Sequence, residues 1–334
     1  MAEVISPTSR ATPKIKQGSF MPIQVASLRV DKILNFDLYI HTGRELLLYR
    51  SKSLTFTEAS LARLRENKVE TIYIPGHARE AYHKYIEENL QEVLADPKIP
   101  EPKKATILYD SSKMLIQDVF TNPTYPEHIK RSKRLVENTV GFILKGRQAF
   151  LNLMKITSLD YYTYTHSINV ATFAVSLARQ LGITDQSSLV DLGTGALLHD
   201  VGKSRISEQI LNKKGALNTL EMGIIRKHPQ WGVELLRDSN LLAPVAYHPV
   251  HEHHERVDGS GYPQGTLGKD QHLFSRIVAI CDVFDALTTN RAYQAAMNSY
   301  VALKMMHSMR GGLDFKLLTQ FTIMMGPTNE DNRY

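Results

Sequence analysis

His253-His254-Glu255-Arg256-Val257-Asp258-Gly259-Ser260-Gly261-Tyr262-Pro263 sets two adjacent histidines beside charged residues and runs them into a loop with two glycines and a proline. Neighbours on a helix point about 100° apart. The two imidazoles therefore either face different ions or share one centre from a helix end. On both sides of this stretch the apolar residues recur at helical spacing: His128 to Lys155, Thr163 to Leu181, Ser187 to His199, Thr219 to Asp238, Ser275 to Thr288 and Ser299 to Met309. No strand pattern interrupts them. The spacing predicts an all-α bundle from about residue 130 to 326, without internal repeats.

Upstream the pattern changes. Ile23, Val25 and Leu28 predict a strand, as do Phe36-Leu38-Ile40, Leu46-Leu47-Leu48-Tyr49 and Thr71-Ile72-Tyr73-Ile74. A helix opening at Thr57-Glu58-Ala59 lies between the last two, with Thr55 or Thr57 as its cap. This gives a small α+β regulatory domain over 21–77. Helices over Ala78–Leu94 and Lys104–Phe120, broken by proline-rich stretches, form a helical connector over 78–129. Residues 1–20 and 327–334 are polar, with no apolar period, and are expected to be disordered tails. The fold expected is mainly α, with the α+β unit at the N-terminal side.

Hydrophobic residues make up 43% of the 334, enough to bury a sizeable core, and the net charge is +6. That charge suits an anionic ligand and is too mild for a duplex nucleic-acid binder. The lone cysteine, Cys281, follows the apolar run Ile277-Val278-Ala279-Ile280, so it is expected to be a buried apolar residue in a chain without disulfides. No apolar run is long enough to span a bilayer. A soluble cytoplasmic protein is expected.

Several histidines and aspartates fall on apolar helix faces. His166 shares its side with Val170, Phe173, Ala174 and Leu177. His199-Asp200 ends a helix whose Leu189, Leu192 and Ala196 lie on the same side; Gly202 is expected to stop that helix and Lys203 to lie near the carboxylate. His228 lies on the side of Ile224, Trp231 and Leu235, with Pro229 dividing the helix. Asp282 follows an apolar run in which a carboxylate is costly without a partner. A polynuclear metal centre explains all of these together. Mixed nitrogen and oxygen donors without thiolate favour iron, manganese or zinc over a structural cysteine-zinc site.

Thr165-His166-Ser167, Leu197-Leu198-His199-Asp200-Val201-Gly202-Lys203, His228-Pro229, His253-His254-Glu255-Arg256 with Asp258-Gly259-Ser260-Gly261-Tyr262-Pro263, and Arg276-Ile277-Val278 through Cys281-Asp282-Val283-Phe284-Asp285-Ala286-Leu287-Thr288 together resemble the HD-GYP domain, a branch of the HD phosphohydrolases. The resemblance covers about residues 130 to 326, with the motifs in the family's order. It implies a bacterial phosphodiesterase that converts cyclic di-GMP to linear pGpG and on to GMP. The metal ligands it implies are His166, His199, Asp200, His228, His253, His254 and Asp282, with Asp200 bridging two divalent ions, iron expected and manganese or zinc as alternatives. Lys203 and Asp200 take the catalytic positions. Lys213, Arg291, Gly261, Tyr262 and Pro263 take substrate-facing ones. The chemistry fits, because two cations hold a hydroxide between them and clamp the phosphate oxygens of a diester.

The sequence departs from the pattern in places. Tyr162 stands where members with a third metal carry glutamate, so a dinuclear centre is expected: a neutral phenol is a poor ligand for a divalent cation at neutral pH. Ala292 and Gln294 interrupt the usual Arg-Pro-Tyr-Lys or Arg-Pro-Tyr-Arg, Val257 replaces a common tryptophan, and Leu313-Asp314-Phe315 replaces Phe-Asp-Pro. The competing readings are a non-catalytic cyclic-dinucleotide receptor that signals to a protein partner, and a hydrolase of another cyclic dinucleotide. A homodimer is the other partner considered.

Overall fold

The computed structural model describes residues 20–43, 45–157, 163–213, 215–237, 239–289, 296–309 and 311–326. The chain divides into two compact units, 1–89 and 90–334.

The first unit contains strands β1 (Phe20–Gln24), β2 (Lys32–Ile33), β3 (Leu38–His41), β4 (Leu46–Arg50), β5 (Thr55–Phe56) and β6 (Thr71–Pro75), with helix α1 (Glu58–Glu66) between β5 and β6. Helix α2 (Arg79–Ala95) begins in this unit and runs past its end. β1, β6, β3 and β4 form an antiparallel sheet in that order, while β2 pairs with β5. Thr57 caps α1, accepting from the Ser60 N–H at 3.3 Å. Phe36 is fully buried and meets the rings of Tyr82 and Tyr85 of α2 edge-on. The strand expected through Val25 and Leu28 stops at Gln24, and Val25–Ser27 turn as a single 3-10 helix that buries Val25. Phe20, placed in the disordered tail by its composition, begins β1 opposite Pro75. The rest of that tail and residues 327–334 lie outside the described residues.

The second unit is helical: α3 (Glu101–Thr121), α4 (Pro126–Ile143), α5 (Arg147–Thr157), α6 (Thr163–Gln180), α7 (Gln186–Leu198), α8 (Glu208–Leu211), α9 (Thr219–Ile225), α10 (His228–Arg237), α11 (Tyr247–Glu252), α12 (Leu273–Thr288), α13 (Ser299–Ser308) and α14 (Phe315–Met325). α6 and α12 are the central layer. α6 packs on α7, α12 and α14, and α12 also on α11 and α13. α3, assigned to a connector by its proline-rich borders, lies against α4, α5 and α6 within this unit. The single helix expected over His128–Lys155 is broken after Ile143, because Gly146 adopts φ 147°, which no α-helix accommodates. The helical stretch over Thr219–Asp238 is divided as expected, into α9 and α10, with Pro229 in the first turn of the second.

The glycine of the His-Asp turn has a different role from the one its position suggested. α7 already ends at Leu198, and Gly202 lies inside the 3-10 turn Val201–Arg205. A Cβ there would meet the His228 carbonyl oxygen at 2.0 Å and the Gly232 nitrogen at 2.6 Å. Gly202 is needed because the backbone of α10 presses directly on the turn. α12 shows the energetic balance on which the second unit rests. Ile277, Val278, Ile280 and Phe284 are almost wholly buried. Each stabilises the fold by about 1.5–3 kcal/mol, which offsets the cost of placing Asp282 and Asp285 in the same helix. Cys281 beside them is buried and free, as expected.

Candidate metal centre

Five segments deliver side chains to one place. His166 comes from the first turns of α6, His199 caps the end of α7, and Asp200 follows it into the 3-10 turn. His228 opens α10. His253 caps α11 with His254 next to it, and Asp282 lies in the middle of α12. His199, Asp200, His228, His253 and Asp282 are all buried. The donor atoms form two groups: Asp200 with His228, His253 and His254, and His166 with His199 and Asp282. The helix end at Glu252 resolves the question of the adjacent histidines. Both rings turn toward the first group, their centroids 4.2 Å apart.

Asp200 touches both groups through different oxygens. Oδ2 lies 3.7 Å from His166 Nε2 and 3.5 Å from His199 Nε2. Oδ1 lies 3.3 Å from His228 Nε2 and 3.8 Å from His253 Nε2. Asp282 approaches His166 Nε2 at 3.1 Å and His254 Nδ1 at 3.7 Å.

The tautomers are fixed from behind. Nδ1 of His199 donates to the Ala196 carbonyl at 2.6 Å, that of His228 to Ile225 at 2.7 Å, and that of His253 to Pro249 at 2.8 Å. With each proton held on Nδ1, each Nε2 presents a lone pair to the centre. His228 Nε2 and His253 Nε2 are then two acceptors only 3.1 Å apart. Two buried lone pairs at that separation repel unless a cation lies beside both. About 3 Å is also the spacing of two nitrogens that are each ~2.1 Å from one ion. His199 Nε2 and Asp200 Oδ1 are buried without hydrogen-bond partners, a state that is costly for polar atoms. The residues therefore fit a divalent metal centre.

The electrostatics agree. Burial holds the His253 imidazole well below its usual range, helped by the neighbouring histidines. Burial pushes His254 down to about 3 and also lowers His199. These rings are neutral at pH 7, with their lone pairs available. Burial alone would raise Asp200, but Lys203, whose Nζ is 2.5 Å from Oδ2, and then His199 outweigh it and hold the carboxyl well below the usual carboxylate range. His166 differs. Burial opposes its charge, but hydrogen bonds to Asp282 and Asp285 raise it to about 9, so an ion bound at this nitrogen must displace a proton.

A family model described as HD domain matches residues 133–317. The chain is 31% identical over 290 residues to the protein named cyclic di-GMP phosphodiesterase PA4108 of Pseudomonas aeruginosa, an alignment covering 83% of this chain and 70% of that one. Its fold matches that of Bd1817, a solved HDG"Y"P protein from Bdellovibrio bacteriovorus, with a TM-score of 0.66, 25% identity, and coverage of 92% of this chain and all of the other. The chain belongs to the HD-GYP branch of the HD domain family. A further relative, named 3'3'-cGAMP-specific phosphodiesterase 3 of Vibrio cholerae, is 33% identical over 235 residues, 66% of this chain and 48% of that protein.

Beyond the histidines and aspartates expected from the sequence, this HD-GYP domain uses residues that the sequence reading passed over. Asp285, one helical turn past Asp282, is buried. Its Oδ2 accepts from His166 Nδ1 at 2.7 Å and its Oδ1 from Asn169 Nδ2 at 2.7 Å. It orients His166 as the carbonyls orient the other rings. Carboxylates behind a metal-binding histidine typically contribute about 10–100-fold in affinity. Asp285→Asn keeps an acceptor but removes the charge. It is expected to weaken metal retention by about tenfold or more while leaving the helical circular dichroism unchanged. Competition with a calibrated chelator measures this, and unaltered affinity would show that Asp285 has no such part.

The signature loop is held by Glu255. Its buried carboxylate accepts from the backbone N–H groups of Gln264, Gly265 and Thr266 at 2.7, 3.1 and 3.0 Å. Gly261 presses on this segment so closely that a Cβ would lie 2.3 Å from the Arg256 nitrogen. Tyr262 stacks on His254 with centroids 4.7 Å apart, and the Arg226 guanidinium carbon lies 5.3 Å from the Tyr262 ring. Burial, with Asp282 and Asp200 facing it, pushes the phenol pKa up. Lys213, expected to face the substrate, is held by a carboxylate of α9. Its Nζ pairs with both carboxylate oxygens of Glu221, at 2.6 and 2.8 Å. Glu221 also closes the capping box of α9 with Asn218. Asn218→Ala is expected to cost about 1 kcal/mol locally. The readout is faster amide exchange over α9; unchanged exchange there would refute a capping role. Arg291, Ala292, Gln294 and Tyr162 lie outside the described residues.

Proposed function

We propose that this chain is a metal-dependent phosphodiesterase that opens cyclic di-GMP to linear pGpG, with GMP as the further product, on a centre of two divalent ions. The observation that carries this reading is the pair of donor groups sharing Asp200, one carboxylate oxygen toward each. His166, His199 and Asp282 would hold one ion, and His228, His253 and His254 the other. Divalent cations, when bound, supply Lewis acidity toward phosphate oxygens and acidify water into a nucleophile near neutral pH.

The chain's own groups do the rest. His199, His253 and His254 bind without first losing a proton, whereas His166 must lose one. The Lys203 ammonium lies beside Asp200 Oδ2. There it opposes the negative charge that grows on a phosphodiester under attack, and it is a proton donor for the leaving ribose oxygen. Tyr262, stacked over His254, closes one side of the centre and limits water there. Gly261, Pro263, Lys213 and Arg291 are the remaining substrate-facing residues of this reading. The nitrogen-and-oxygen donor set suits iron, manganese or zinc, and iron is the ion proposed because the HD-GYP resemblance implies it.

A relative named as specific for 3'3'-cGAMP makes that nucleotide the second substrate to examine. The test is purified protein loaded with Fe(II) or Mn(II), each nucleotide offered separately, and products resolved by chromatography over time. Conversion of cyclic di-GMP that stops on adding a chelator is expected. Faster conversion of 3'3'-cGAMP would transfer the assignment to that substrate. Tight binding without any product would favour a receptor.

A further inference from the structure

Several cations of the second unit are engaged, and Arg256, near Tyr262, donates to the Glu255 carbonyl at 2.9 Å. Lys203 is paired with Asp200, Lys213 with Glu221, and Arg205 with Glu234. Arg226, the residue closing α9, has no carboxylate partner among the described residues. It is exposed, and its guanidinium lies against the Tyr262 ring. Tyr262 is itself fixed, stacked on His254 and with its backbone N–H donating to the His254 carbonyl at 3.2 Å. An aromatic brace of this kind holds a guanidinium in one orientation and leaves its N–H groups free to donate.

The placement matters as much as the charge. Arg226 is two stacking distances, 4.7 and 5.3 Å, from a ring that faces the metal centre. It is too far to share a phosphate with the ions and near enough to be spanned by one nucleotide. A cyclic dinucleotide carries two phosphodiesters on opposite sides of its ring, and only one is cut at a time. The other brings a full negative charge that needs a partner away from the metals. Resting on the phosphodiesterase reading above, we propose that Arg226, braced on Tyr262, binds the second phosphate of a cyclic dinucleotide whose first phosphate lies at the metal centre.

The contact distinguishes a cyclic dinucleotide from a diester with one phosphate. kcat/KM for cyclic di-GMP, divided by kcat/KM for bis(p-nitrophenyl) phosphate, is expected to fall about tenfold in Arg226→Ala, mostly through KM for the dinucleotide. Arg226→Lys should recover only part of the loss, since it keeps the charge but not the guanidinium plane braced on Tyr262. An unchanged ratio in Arg226→Ala would overturn the proposal. So would loss of bound ions from Arg226→Ala, which would make the residue part of the metal centre. Equilibrium binding of cyclic di-GMP separates this inference from the reading beneath it. If the unaltered protein binds but does not cleave, the hydrolase reading fails, while a Kd about tenfold weaker in Arg226→Ala still supports the phosphate contact. Equal Kd values overturn the contact, and a protein that neither binds nor cleaves overturns both.

Discussion

Asp200→Ala is expected to strip bound metal from both halves of the centre and to lower hydrolysis of cyclic di-GMP by about three orders of magnitude or more. Its two oxygens face different donor groups, 3.5 Å from His199 on one side and 3.3 Å from His228 on the other. Removing it therefore costs both sites a ligand, whereas His199→Ala removes one from a single group and should leave the other partly filled. The change also frees Lys203, whose Nζ is 2.5 Å from the lost oxygen, to repel an incoming cation. Elemental analysis of the purified variants gives ions per chain, and chromatography gives the rate. An Asp200→Ala protein that retains two ions and the original rate would rule out the shared carboxylate and the mechanism built on it.

Gly202→Ala should be among the most destabilising single-methyl additions in the second unit. The added Cβ would meet the His228 carbonyl oxygen at 2.0 Å and the Gly232 nitrogen at 2.6 Å, and both are backbone atoms of α10 that no rotamer change can move. α10 must be displaced, and His228, its first residue, moves with it. A loss of about 3–5 kcal/mol is expected, lowering Tm by on the order of 10 °C. Metal content should fall in the protein that still folds. Ordinarily alanine for glycine in a compatible backbone gains about 0.4–1 kcal/mol, so the sign alone decides. A Tm equal to or above that of the parent, with metal intact, would show that α10 does not press on the turn.

What the sequence reveals of this centre follows from periodicity and chemistry. A histidine on an apolar helix face at i, i+4 and i+7 from leucines and valines must point inward. Periodicity marks His166, His199 and His228 as inward-facing, whereas the full set of seven ligands, His253 and His254 among them, comes from the resemblance to the HD-GYP domain. Three things were hidden. Asp285 is one turn from Asp282 in an apolar helix, and nothing in its spacing tells a ligand from a group that orients another ligand. Gly202 looked like a helix stop because glycine commonly is one; the close approach that requires it comes from α10, which is distant in sequence and invisible to local rules. Arg226 carries no signal of its own in the sequence, because the Tyr262 ring it lies against is far along the chain. In the first unit, propensity extended a strand through Val25 that tertiary packing curls into a 3-10 turn.

The spread of the ligands along the chain has a consequence for how the molecule acquires its ions. His166 is 119 residues from the carboxylate that orients it. The two donor groups combine the end of α7 with α6 and α12, and the start of α10 with the end of α11. Closing loops of such length carries an entropic cost that only the assembled helices can offset. A nascent chain still lacking α12 has no Asp282 with which to complete the His166 group, and no isolated peptide of it can chelate as a zinc finger does. The Asp200, His228, His253 and His254 group is complete before α12, but the His166 group waits for Asp282, so a full complement of ions reports that α6 through α12 have been joined.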